Sequence, residues 1–393
     1  MKIVYVIVLG LAILVSGCST KPPLGAGRPD DEYNEINNEA DTEENSMNKS
    51  YGDHAEWAQE MLLRYYWNEE ERFLNNAYPY AEEREKHLNY WWKAHGVDAM
   101  MDGYERTGDK RYTEKAEQIV KGIIVRNGSL YNEYYDDMEW LALSALRLYD
   151  ATGSEKIKEY VLKLWKDIKT AWWEDDLGGM AWKKDERHKR NTCSNGPAAI
   201  LASRVYERFG DEEDLELAKK IFAFMKENLV NEETGIVYDG LVLLDDGTLD
   251  VNTAWIFTYG QGTYLGSGVE LYRTTGDESY LKEAEKTAYA AIKELRNPGT
   301  GTMQDEGQGD GGLFKGILVR YLINLYKVSG NAELKEEIKK SVYFNSDALI
   351  KSSSGEGLFG TSWDKPAPKP LDLPVQLSGV FLLEGAAVIE EAQ

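Results

Sequence analysis

Cysteine and histidine are scarce. The 393 residues hold two cysteines, Cys18 and Cys193, and four histidines. So small a supply excludes a disulfide framework and a Cys/His metal set. Positive charge is in deficit as well: 45 lysines and arginines face 68 aspartates and glutamates, a net charge of −23. That balance argues against nucleic acid and anionic lipid surfaces as partners, and it weighs against a polyanionic substrate. Apolar and aromatic residues are plentiful. Hydrophobic residues make up 42% of the chain, with 11 Trp and 25 Tyr, ample for a large core.

The N-terminus reads as a targeting segment. Lys2 precedes an apolar run, Ile3 to Val15, that is too short to span a bilayer comfortably. The run ends in "VSGC", Val15 to Cys18, which resembles the bacterial lipoprotein processing box. The expectation is a signal peptide over 1–17, a lipidated Cys18 and an exported protein that meets the membrane only through that anchor. An ordinary signal peptide with a chance cysteine is the alternative. Residues 18–50 are rich in Asp, Glu, Asn, Gly and Pro and read as a tether. Cys193 then has no partner and is read as a small buried residue.

A turn recurs five times: "YERTGDKRY" from Tyr104, "YDATGSEKI" from Tyr149, "YERFGDEED" from Tyr206, "YRTTGDESY" from Tyr272 and "YKVSGNAEL" from Tyr326. The Gly is expected to take the left-handed position that ends one helix. The Asp, Ser or Asn after it is expected to cap the next. Copies fall 45 to 66 residues apart, the spacing of a helical-hairpin repeat.

After each corner the helix is amphipathic. In "EKIKEYVLKLWKDIKT", Ile157, Tyr160, Val161, Leu164 and Ile168 share one face. Before each corner it is apolar nearly all round, as in "MEWLALSALRLY", so buried on every side. Twelve helices are predicted, near 53–67, 86–107, 110–125, 136–152, 155–170, 195–209, 212–229, 256–275, 278–294, 312–329, 332–350 and 374–391. Six inner and six outer helices make an all-α (α/α)6 toroid, one domain over 51–393. A two-domain helical solenoid is the alternative.

The connections from outer to inner helices are long and carry "AWWEDDLGGMAW", "GIVYDGL" and "DEGQGDGG". Such loops on one face of a rigid scaffold are where binding sites are placed. On that face, "YYDDMEW" puts Asp136 and Asp137 side by side at the mouth of an inner helix. Acids in a first turn can simply serve the helix dipole. Two crowded carboxyls, however, have their pKa values driven apart, so one can attack while the other holds a proton. A retaining glycosidase uses such a pair about 5–5.5 Å apart, and adjacent residues reach that separation more easily than the longer one of inverting enzymes.

Several residues near this face suit sugar binding. Trp92 and Trp182 offer aromatic planes, although core packing is the alternative for any single Trp, and Trp140 reads as core. Asn195 could bind a hydroxyl or cap its helix. Asp239 could hold hydroxyls or serve a turn before Gly240. Tyr259, Gln261 and Lys315 stand at two further inner-helix mouths. "DDGTLD" at Asp245 and "DEGQGDGG" at Asp305 lack the full ligand spacing of calcium loops and read as plain loops.

The chain resembles glycoside hydrolase family 76, bacterial and fungal endo-α-1,6-mannanases. Besides the acid pair, the resemblance rests on "YWWKAHGVDAMMDGYERTGD", "GGMAW", "NTCSNGPAAILASRVYERFGD", "TGIVYDGL", "FTYGQGTYLGSGVELYRTTGD" and "LFKGILVRYL", in order along the chain. It implies an (α/α)6 barrel and retaining hydrolysis of internal α-1,6-mannosidic bonds without metal or cofactor. It also implies Asp136 as nucleophile and Asp137 as general acid/base. Gly260 in "TYGQG" departs from the Asn of many relatives. A monomer acting on α-mannan is the expectation. Another (α/α)6 carbohydrate enzyme, of glucuronyl hydrolase or lyase type, and a non-catalytic surface glycan-binding lipoprotein are the alternatives.

Overall fold

The structure is a computed structural model and describes residues 49–174 and 177–393. The signal peptide over 1–17, Cys18 and nearly all of the tether lie outside the described residues. Contacts gather Lys49–Gln393 into one compact unit.

Among the described residues there are twelve α-helices. They are α1 (Tyr51–Tyr66), α2 (Tyr90–Thr107), α3 (Lys110–Asn127), α4 (Tyr135–Thr152), α5 (Glu155–Ile168) and α6 (Thr192–Phe209), then α7 (Glu212–Asn228), α8 (Thr258–Thr275), α9 (Glu278–Glu294), α10 (Gly311–Val328), α11 (Ala332–Ser352) and α12 (Leu373–Glu391). The even-numbered helices touch in sequence around a ring, and α12 returns to α2. Each odd-numbered helix packs outside, with α1 closing on α12. This closed ring is the (α/α)6 toroid, and it excludes the solenoid.

The patterning explains the two layers. Outer α5 buries Ile157, Val161, Leu164, Trp165 and Ile168 at helical spacing. Inner α12 is buried on nearly every side. It is long and apolar enough to cross a membrane, yet 89% of its apolar window lies inside the fold. The ring is tight where backbones meet. A Cβ on Gly262 of α8 would stand 2.8 Å from the Cα of Leu318 in α10, and one on Gly316 would stand as close to the Cα of Ser378 in α12.

At four corners the glycine takes the expected left-handed position. Gly108, Gly153, Gly210 and Gly276 have φ between 66° and 77°. The fifth does not: Gly330 is outside the left-handed region, and α10 ends instead at an extended Ser329. Asp109, Asp211, Asp277 and Asn331 accept cap hydrogen bonds, whereas Ser154 accepts none.

The corner end of the ring is filled by ion pairs. Arg147 donates to Asp98, Asp102 and Glu105, and Arg320 donates to Asp102. Arg204 pairs with Glu270, and Arg106 with Glu56 and Glu384. This end holds a cavity of about 1100 Å³. Its principal charges satisfy one another.

The loop end holds what helical periodicity could not show. Seven short strands occur among the described residues. Three of them, β1 (Lys189–Asn191), β2 (Gly240–Leu243) and β3 (Leu249–Val251), form an antiparallel sheet in the order β1-β2-β3. Asn191 pairs with Gly240, and Val242 with Asp250.

Candidate active site

Helix α4 begins at Tyr135, whose N–H donates to the Trp182 carbonyl at 3.0 Å. The Trp182 N–H is held in turn by the Lys189 carbonyl, and its ring leans on Tyr134 with centroids 5.1 Å apart. The mouth of α4 is thus fixed by the loop leading to α6. Asp136 and Asp137 occupy its first turn, and both are partly exposed.

Their environments push them up unequally. Burial raises the Asp136 carboxyl to about 6, while the Cys193 thiol, first-turn N–H groups and the Trp182 indole favour its ionised form. Asp137 is held well above the ordinary carboxylate range by burial, then by the charge of Asp136 and then by that of Asp310. Its Oδ2 accepts from the Asn132 amide at 2.8 Å. Asp136 therefore ionises first, and Asp137 keeps its proton.

Asp310, just before α10, was not singled out in the sequence. Its Oδ1 accepts from the indoles of both Trp91, at 3.0 Å, and Trp92, at 2.8 Å. Trp92 is buried and is not among the residues that line the cavity. Trp91 does line it, within an aromatic wall that continues through Phe314 to Phe257 and Tyr259.

Asp239 is fixed by both its backbone and its side chain. Its carbonyl accepts from Thr192 N–H, and its own N–H donates to the Trp255 carbonyl. Tyr259 hydroxyl donates to its Oδ1, and the Asn191 amide to its Oδ2 at 3.3 Å. Burial raises its pKa, and those two donors oppose the rise.

A cavity of about 590 Å³ joins these groups. Asp136, Trp182, Asp239 and Tyr259 line it with Trp91, Trp255, Cys193, Asn191, Asn252 and Asp310. Trp140, read as core, is 3% exposed yet also contributes to the wall. Asp137 is not among the lining residues; it stands beside Asp136 and within charge reach of Asp310.

Three residues expected to bind substrate have other work. Asn195 is fully buried; its amide accepts from Met180 N–H and donates to the Met180 and Asn191 carbonyls. Gln261 does the same for Val237, accepting from its N–H and donating to its carbonyl, each at 2.8 Å. Each is the fourth residue of its inner helix and pins the incoming loop. Gln376 repeats the device in α12, with Phe359 and Gly357. Lys315 is buried, donates to the Thr361 carbonyl and lies 4.6 Å from the Trp363 ring centre. Burial lowers its pKa to about 8; its bond to Thr361 anchors the last loop, and it is not among the residues that line the cavity. The two segments read as plain loops are tied by their own acids: Asp246 accepts from Thr248, and Asp305 from Gly307 within its loop and from Thr361 of the last loop.

Asn195→Ala leaves a buried N–H and C=O of Met180 unpaired, so a loss of about 1–3 kcal/mol is expected. Urea unfolding reads this directly, and an unchanged midpoint would remove the staple from the account.

The acid pair carries a second consequence. A carboxyl whose folded pKa is raised stabilises the fold below its unfolded value, near 4, and that contribution is lost as pH rises through the folded value. For Asp136 the loss falls between about 4 and about 6, and for Asp137 it extends higher. Replacing both by Asn should therefore stabilise the protein at pH 7 by about 1–2 kcal/mol, allowing for the water-facing cavity. The gain should fade toward pH 4. Melting temperatures of the two proteins across that range test the sign.

A toroid with crowded carboxyls and an aromatic-walled cavity at its loop end defines the class of a glycan-processing hydrolase. The family model of glycosyl hydrolase family 76 matches residues 50–386, and the chain belongs to that family. The structure is similar to the GH76A α-1,6-mannanase of Salegentibacter sp. HEL1_6, with a TM-score of 0.82 and 41% identity over 86% of this chain and all of that one. An inactive variant of that enzyme, with two adjacent aspartates changed to asparagine, is in complex with α-1,6-mannotriose; against it the TM-score is 0.81 at 40% identity, over 86% of this chain and all of that one. The Lin0763 protein of Listeria innocua gives 0.80 at 36% identity, over 88% of this chain and 99% of that one. The mannan endo-1,6-α-mannosidase of Saccharomyces cerevisiae is 25% identical over 213 residues, which span 48% of this chain and 46% of that protein. The chain thus matches less than half the length of this yeast relative.

Proposed function

We propose that the protein is a retaining endo-α-1,6-mannanase that works by double displacement. The observation that carries the reading is the placement of Asp136 and Asp137 side by side in the first turn of α4, with Asp136 on the wall of an aromatic-lined cavity; burial raises both carboxyls, and the charge of Asp136 raises Asp137 further. The Asp136 carboxylate attacks the anomeric carbon of a mannosyl unit while Asp137 gives its proton to the departing O6. The bond from C1 to O6 breaks, and an ester of Asp136 forms. Asp137, now a carboxylate, takes a proton from an entering water, whose oxygen attacks C1 and releases Asp136.

Three features support mannan over an anionic glycan. The cavity is lined by four acids, Asp136, Asp239, Asp250 and Asp310, against one lysine, Lys189. Trp91, Trp182 and Trp255 offer faces to sugar C–H groups. The relatives named above are described as acting on α-1,6-linked mannan or as binding its oligosaccharides. The proposal includes lipid attachment at Cys18, which would hold the enzyme at a bacterial envelope surface, and action as a monomer.

Reducing-end release from unbranched α-1,6-mannan is the test. Oligosaccharides of mixed length early in the reaction support the reading. Binding of mannan with no release would leave a glycan-binding protein instead.

A further inference from the structure

Glu139 lies one residue beyond the first turn of α4 and is fully buried. Neither of its carboxyl oxygens meets a hydrogen-bond donor. A lone carboxylate in such a place is very costly, so the group is held as the acid. Burial, and then the charge of Asp136, push it in that direction. A protonated carboxyl carries an O–H, which itself requires an acceptor.

The helix says where that acceptor is. Residues three apart share a face of a helix, whereas residues two apart do not. Glu139 therefore stands under Asp136 and turns away from Asp137. Asp136 Oδ1 is also buried, and it too meets no donor. Two orphaned groups of complementary chemistry thus lie one helical turn apart. From α6, Cys193 faces both; burial, and then Asp136, Asp239 and Glu139, raise its pKa, so it is an uncharged thiol. From α8, Tyr259 hydroxyl is committed to Asp239. From α2, His95 packs on Trp140, and burial lowers its pKa to about 3, so it brings no charge.

We infer that Glu139 is a positioning residue: its protonated carboxyl donates a hydrogen bond to Oδ1 of Asp136 and turns the other oxygen of Asp136 toward the cavity. This rests on the proposed role of Asp136 as nucleophile. The bond favours ionised Asp136 before attack. After attack through Oδ2, Oδ1 is the carbonyl oxygen of the ester, and the same donor polarises that carbonyl for release. The proton stays on Glu139 throughout.

Two variants of the full chain separate a donor from a bulky filler. Glu139→Gln keeps an N–H donor and cannot ionise; Glu139→Met keeps the volume and donates nothing. Glu139→Gln should retain kcat within about threefold, and Glu139→Met should lose about 10- to 100-fold in kcat with little change in KM. The acid limb of kcat/KM should move up by about one pH unit in the Met variant alone. An infrared difference spectrum of wild type against Glu139→Gln at pH 7 should show the C=O stretch of a protonated carboxyl present only in wild type. Equal losses in both variants, a Met variant that behaves as wild type, or no such stretch would overturn the inference. The spectrum needs no substrate. It therefore decides the matter even if the Met variant does not fold, and even if the wild type fails to cleave mannan, which would count against the proposed function alone.

Discussion

On unbranched α-1,6-mannan, Asp137→Asn is expected to lower kcat by about 10²–10⁴-fold. Asp136→Asn is expected to lower it by about 10⁴-fold or more. The two losses have different causes, and a second substrate separates them. An aryl α-mannoside with an acidic phenol leaves without help from a proton. With this substrate Asp137→Asn should still form the ester, and release one equivalent of phenol in a burst. It should then stall, because no base activates the water. Azide needs no base, so it should restore turnover and yield the α-mannosyl azide. Asp136→Asn should show neither burst nor rescue. In wild type the acid limb of kcat/KM should follow Asp136, at about 6, because a protonated nucleophile does not attack. Loss of both substrates to the same extent in both variants, with no burst, would return the acids to a helix-dipole role.

Arg147→Ala is expected to cost about 3–5 kcal/mol and to lower Tm by roughly 4–7 °C. Arg147 is 16% exposed, and its guanidinium holds Asp98 and Asp102, at 7% and 15%. Removing it leaves Arg320 to balance two buried carboxylates, and the penalty comes from those uncompensated charges. The effect should be far from the chemistry: KM on mannan should hold at temperatures where the variant is folded. An apolar residue in place of Arg147 that leaves Tm unchanged would show that water reaches the ring and screens the pairs. By contrast, Lys163→Ala removes an exposed pair with Glu159, and its Tm serves as the control.

Much of the architecture was legible because it is local. Apolar spacing within about four residues marks each helix face, and the corner signature is short. The Gly330 corner departs because its helix ends through an extended Ser329 instead of a left-handed glycine, a choice that the shared motif does not encode. The short strands of the loop end went unread because a run of two to four residues has no periodicity of its own. Their partners lie elsewhere: Asn191 meets Gly240 across a sheet that contains two outer-to-inner connections.

For the site, residue type alone misled where a polar side chain had two uses. An amide at an inner-helix mouth can bind a sugar hydroxyl or a loop backbone. Asn195 and Gln261 serve the backbone because Met180 and Val237 are delivered to them by loops that return from the outer layer. Trp91 and Trp92 both give their indoles to Asp310, more than 200 residues away, but only Trp91 lines the cavity, while Trp92 is buried.

The sequence by itself determined the helix count, the alternation of buried and amphipathic layers and the adjacency of Asp136 and Asp137, since each is written in neighbouring residues. Only the tertiary structure decided which carboxyl keeps its proton, because that depends on burial and on Asp310, Cys193 and Trp182. Those groups reach α4 from other parts of the ring, and electrostatic energy follows distance in space and local dielectric, not distance along the chain.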